Sequence, residues 1–112
     1  MSSVYIIKNI TQQHIWYESS LHLLGEIHRY VEPQRVPFFT DYEFEPDDND
    51  HQHVLDGAAL ARQLIIILTA FHEASNQQTA DPSTPLLMDL CKRMLESCRD
   101  HPDHLWTCYL FD

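Results

Sequence analysis

Histidines and carboxylates are the residues in this chain best able to do chemistry, and their spacing limits what that chemistry could be. There are eight histidines. His51 and His53 follow the acidic run Asp47-Asp48-Asn49-Asp50, and His101 and His104 flank Pro102-Asp103. A zinc site is usually marked by HExxH or by Cys/His pairs at short spacing, and neither pattern occurs. His51 and His53 are two residues apart and would diverge on a helix. Surface or capping roles are therefore expected for them, with no metal, no cofactor and no catalytic residue. His72-Glu73 could act as a general base pair, but the negative end of a helix favours a histidine there without any catalysis.

The cysteines point the same way. Cys91, Cys98 and Cys108 are odd in number and form no CxxC. Cys91 and Cys98 lie about 10 Å apart along a helix axis, beyond disulfide reach. Reduced, buried thiols in a cytoplasmic protein are expected. Gly25 and Gly57 are the only glycines, and neither belongs to a phosphate-binding loop.

Charge is the most skewed property. Seventeen acids face seven bases, a formal net charge of −10. Between Val36 and Ala61 stand Asp41, Glu43, Glu45, Asp47, Asp48, Asp50 and Asp56, with no lysine or arginine among them. Such a balance argues against direct binding of nucleic acid, which takes clustered Lys and Arg, and against anionic membrane surfaces. It suits a basic protein partner, since complementary fields speed association and set specificity. Phe38, Phe39, Tyr42 and Phe44 share the segment, and aromatics beside charges are what interface hot spots use. The expected partner-binding residues are Asp41, Glu43, Glu45, Asp47, Asp48, Asp50, Phe39 and Tyr42.

The elements that must position these groups are legible from periodicity. Val4 to Ile10 reads as an interior strand, apolar on both faces. Thr11 is placed to cap a helix from Gln12 to Val31, with Trp16, Leu23, Leu24, Ile27, Tyr30 and Val31 at helical spacing, although HIWYES could also extend as strand. Val36 to Glu45 alternates and reads as an edge strand with its acidic side in water. Val54 to Glu73 is the longest apolar run and reads as a buried helix, capped by Asn49 or Asp50. Asp56, Arg62 and Gln63 interrupt it, which excludes a membrane span. Thr84-Pro85 opens a third helix whose face is Leu87, Leu90, Cys91, Met94, Leu95 and Cys98. Leu105 to Phe111 is a second interior-type strand.

Residues 1–112 thus read as one α+β domain of order β-α-β-α-α-β, a small sheet of three to four strands packed with three helices. The expected core includes Ile6, Leu24, Ile27, Leu64, Ile65, Leu68, Leu90, Met94 and Leu110. The N-terminus has no basic region ahead of an apolar core, so no signal peptide is expected. The leading functional expectation is a non-enzymatic, small acidic inhibitor of the immunity-protein, antitoxin or phage type. It would neutralise a basic partner such as a nuclease by occluding its cationic surface. The alternatives are a small enzyme or metal-binding protein using His51, His53, His72, His101 or His104, and a general adaptor or chaperone.

Overall fold

A computed structural model describes residues 3–44, 46, 50–77 and 81–111. Its elements are β1 (Val4–Asn9), β2 (His14–Ser19), α1 (His22–Tyr30), a 3₁₀ turn (Pro33–Arg35), the helical turn α2 (Pro37–Thr40), β3 (Glu43–Phe44), β4 (Val54–Asp56), α3 (Gly57–Asn76), α4 (Thr84–Asp100) and β5 (Leu105–Phe111). This is a five-stranded mixed sheet with four helices. The order β-α-β-α-α-β with three helices and three to four strands is therefore incorrect.

β5 is the centre of the sheet. On one side it pairs antiparallel with β1, from Val4 opposite Phe111 to Asn9 opposite Trp106, and β1 in turn pairs with β2. Its other side is shared by β4, antiparallel through Val54–Thr107, and β3, parallel through Glu43–Tyr109. The two segments read as interior strands are thus neighbours, paired on both edges, and Tyr5, Ile7, Trp106 and Cys108 are fully buried.

The first correction lies after β1, where a hairpin replaces the start of a long helix. Gln13 takes a left-handed backbone with φ of 55°, and Asn9 Oδ1 accepts the Gln12 N–H at 2.9 Å. Thr11, expected to cap a helix, instead accepts the Leu105 N–H at 2.9 Å and ties the turn to β5. HIWYES extends as β2 because its aromatics find partners on the sheet. Trp16 packs on Trp106 with ring centroids 5.5 Å apart, and Tyr17 meets Tyr5 edge-on.

The second correction concerns Val36 to Glu45. Strand alternation would send Phe38 and Phe39 to opposite faces, yet both are buried, T-shaped to each other at 5.0 Å. Pro37 starts a helical turn, a position where its missing N–H does no harm. The Phe38 N–H reaches Gln63 Oε1 on α3 at 2.9 Å. Among the described residues of this segment, only Glu43–Phe44 is strand.

In the third correction, the central helix starts later than Val54. Val54–Asp56 joins the sheet, and Asp56, rather than Asp50, caps α3 by accepting the Ala59 N–H at 2.8 Å; Asn49 lies outside the described residues. Gly57 has a steric reason to be glycine, since an added Cβ would stand 2.8 Å from the His101 carbonyl oxygen. α3 buries one stripe, Leu60, Leu64, Ile67, Phe71 and Ala74, against the sheet and α4. Ile65 is 45% exposed and Leu68 only partly buried, so these two are not core residues as expected. The α4 face is buried as its periodicity requires, and Arg93 pairs with Asp89 at 3.0 Å on the outer side. Among the described residues no helix is long and apolar enough to cross a membrane.

Candidate metal centre

α1 and the segment entering α4 bring three ligand-type side chains together. His22 and Glu26 stand four residues apart on α1, the spacing that stacks side chains on one helical face. Asp81 comes from the connector just before α4. One donor atom from each residue lies within 4.8 Å of the others. His22 and Asp81 are partly exposed, whereas the Glu26 side chain is only 8% exposed.

The hydrogen bonding of this cluster is incomplete. Glu26 Oε1 has a loose ion pair with Arg29 Nη1 at 3.7 Å. Glu26 Oε2 is buried and has no hydrogen-bond partner among the described residues. Burying an acceptor without a partner costs about 1–3 kcal/mol, and more for a charged group. Thr84 Oγ1, also buried, is likewise without a hydrogen-bond partner. Ser83 occupies the N-cap of α4 but makes no capping bond with its side chain, giving up a contact that typically contributes about 1 kcal/mol. Its hydroxyl instead donates to Asp81 Oδ1 at 2.7 Å and touches His22 Nε2. The Ser83 hydroxyl and then its N–H hold the Asp81 carboxyl below its usual range against some desolvation, with His22 and Arg29 adding smaller contributions in the same direction.

The second meeting of a carboxylate with histidine is at Glu43, and it is saturated. The Glu43 carboxylate accepts from the Gln52 and His53 N–H groups and faces His51 Nδ1 at 3.2 Å. His53 Nε2 contacts the Phe38 carbonyl at 2.8 Å, and the His53 carbonyl accepts from Thr107 Oγ1 at 2.7 Å. Burial works to raise the Glu43 carboxyl, but the His53 N–H, the His51 ring and the Gln52 N–H together hold it below its ordinary value. Glu43 staples the 51–53 segment to the sheet.

The expected acidic surface is therefore divided. Asp41 and Asp50 are exposed. Glu43 is turned inward, Phe39 is fully buried, and Tyr42 packs edge-on against Tyr5 at 5.8 Å, so these three do not form an exposed patch. Glu45, Asp47 and Asp48 lie outside the described residues. Phe44 is 59% exposed.

The histidines singled out by sequence do not meet at one place. His51 and His53 serve the Glu43 staple. His101 and His104 stack with centroids 4.4 Å apart, and His104 Nδ1 meets Asn9 Nδ2 at 3.3 Å. His72 is exposed late in α3. All three cysteines are buried and unpaired, and burial pushes each thiol up to about 12, which removes them as nucleophiles at neutral pH. His22, Glu26 and Asp81 were missed by sequence reasoning. The four-residue step from His22 to Glu26 was a readable signal, whereas Asp81 carried none.

No family model matches this chain, and comparison with curated proteins and with solved structures finds no significant match.

Proposed function

We propose that this chain is a small metal-binding protein that holds a divalent transition-metal ion through His22, Glu26 and Asp81. The observation that carries the reading is Glu26, whose buried Oε2 has no hydrogen-bond partner among the described residues and whose carboxylate offers an oxygen within 4.8 Å of donors on His22 and Asp81. Buried polar atoms almost always find a partner, and a cation is the partner a carboxylate pair beside an imidazole favours. One imidazole with two carboxylates suits Zn²⁺, Fe²⁺ or Mn²⁺ better than the all-oxygen shells of Ca²⁺ and Mg²⁺. Three protein ligands leave at least one coordination position open. The ion would join α1 to the start of α4. The same reading places the protein in the cytoplasm, supported by its three unpaired thiols.

The test is equilibrium binding of Zn²⁺, Mn²⁺ and Co²⁺ to the tag-free chain, with His22→Ala and Glu26→Gln beside it. Near-stoichiometric binding lost in both variants is the expected result. Binding that survives in both, or is lost on replacing His51 and His53, would sink the assignment.

A second reading is that the base-free segment serves as a recognition surface for a basic protein, nuclease inhibition included. It is favoured by exposed Asp41 and Asp50 in the same segment as exposed Phe44. Charge reversal at Asp41 and Asp50 should slow association with such a partner and flatten its salt dependence. Association rates indifferent to both changes would remove this reading.

A further inference from the structure

We infer that Ser83 gates the metal site, because its hydroxyl ties together, in the metal-free protein, the two donors that an ion must take from His22 and Asp81. The inference rests on the metal-binding reading above and concerns the regulation of that same site.

The direction of each hydrogen bond follows from the chemistry of the groups. Asp81 Oδ1 faces two donors, the Ser83 N–H at 2.9 Å and the Ser83 hydroxyl at 2.7 Å, and a carboxylate oxygen in that position only accepts. The single Ser83 proton must therefore go to Asp81 Oδ1, 2.7 Å away. With that proton committed, the contact between Ser83 Oγ and His22 Nε2 can be a hydrogen bond only if Nε2 carries the hydrogen. The chain reads Nε2–H to Oγ–H to Oδ1. His22 Nε2 faces Asp81 Oδ1 at 3.9 Å, which makes it the ring nitrogen assigned to the ion; the ion needs its lone pair, and in this arrangement a hydrogen stands there. Binding must break the His22–Ser83 contact, place the ring hydrogen on Nδ1, and release Asp81 Oδ1 from the hydroxyl.

Two features show that this arrangement is more than a stray contact. Ser83 sits at the N-cap of α4 and yet makes no side-chain capping bond. Its backbone is held independently of the hydroxyl: the Ser83 N–H donates to Asp81 Oδ1 at 2.9 Å, and the Ser83 carbonyl accepts from Leu86 and Leu87 at 3.1 and 3.3 Å. Removing the hydroxyl therefore leaves the helix start in place while deleting the competitor at His22 Nε2 and one of the two hydrogen bonds to Asp81 Oδ1. Ser83 is a positioning residue in this account, and it differs from a fourth ligand in the sign of its effect on affinity.

The experiment compares the wild type, Ser83→Ala and Ser83→Thr, all as full chains. The first readout is the tautomer of His22 in the metal-free protein by long-range ¹H–¹⁵N spectroscopy. The wild type and Ser83→Thr should hold His22 as the Nε2–H form, and Ser83→Ala should lose that preference. The second readout is Co²⁺ affinity from its visible absorption. Ser83→Ala should bind about threefold to tenfold more tightly, the range expected for removing one competing hydrogen bond, and Ser83→Thr should stay near the wild type. A wild-type His22 that is mainly the Nδ1–H form overturns the gate. A Ser83→Ala affinity equal to or below the wild type also overturns the gate while leaving the metal site standing. Absence of Co²⁺ binding in both the wild type and Ser83→Ala overturns the site and the gate together.

Discussion

Glu26 and Glu43 are both largely buried carboxylates within reach of a histidine, and the fold treats them in opposite ways. Glu43 receives two backbone N–H groups and a histidine ring, and the segment from His51 to His53 is held in place as a result. Glu26 has one oxygen in a loose pair with Arg29 and the other with no hydrogen-bond partner among the described residues. Filled acceptors mark a staple, and an open acceptor marks a site. A buried carboxylate whose acceptors are filled by its own chain has finished its work in folding. One left open keeps capacity for a ligand and burdens the protein until a ligand arrives.

Glu26 and Glu43 should differ most in metal affinity. Glu26→Gln should lower Co²⁺ affinity by more than about 100-fold, since even loss of outer-shell partners costs about 10–100-fold. Glu43→Gln should leave that affinity unchanged. Equal losses in the two titrations would mean that the two carboxylates do not differ in kind.

The next effect is one of sign. Glu43→Met strips the charged acceptor from the Gln52 and His53 N–H groups and should destabilise the metal-free protein by about 1–3 kcal/mol. Glu26→Met removes a buried, poorly paired charge and should stabilise it by about 1 kcal/mol. Chemical denaturation measures both, and a destabilised Glu26→Met would remove the contrast on which the site assignment leans.

A smaller effect appears with acid. The Glu43 carboxyl is lowered in the folded state, so its stabilising contribution is fully present above the unfolded value of about 4.3. That contribution is lost as pH falls through the lower, folded value. Glu43→Gln should therefore show a flatter fall in stability than the wild type below about pH 4.3. Matching acid titrations of the two proteins would show that Glu43 is not held as described.

The smallest effect sharpens the contrast from outside. Asp41→Lys and Asp50→Lys change exposed groups and should move folding stability by no more than about 0.5 kcal/mol each. A larger loss at either position would give that carboxylate a structural share like that of Glu43.

Sequence by itself determined the two interior strands, the α4 face and the buried, unpaired state of the cysteines. Each depends on a periodicity or an apolar run that few alternative structures can bury. It also made the spacing of His22 and Glu26 readable. Tertiary structure alone decided the β1–β2 hairpin, because HIWYES has both helical and strand patterns and only Trp106 and Tyr5 across the sheet settle the choice. The same holds for Phe38 and Phe39, where alternation suggested a strand and the core took both rings. Glu43 looked like a solvated acid until the strand pairing placed it beneath the N–H groups of Gln52 and His53. Asp81 reaches His22 across 59 residues of chain. No local pattern encodes such an approach, since it is the packing of distant elements that brings the two donors together.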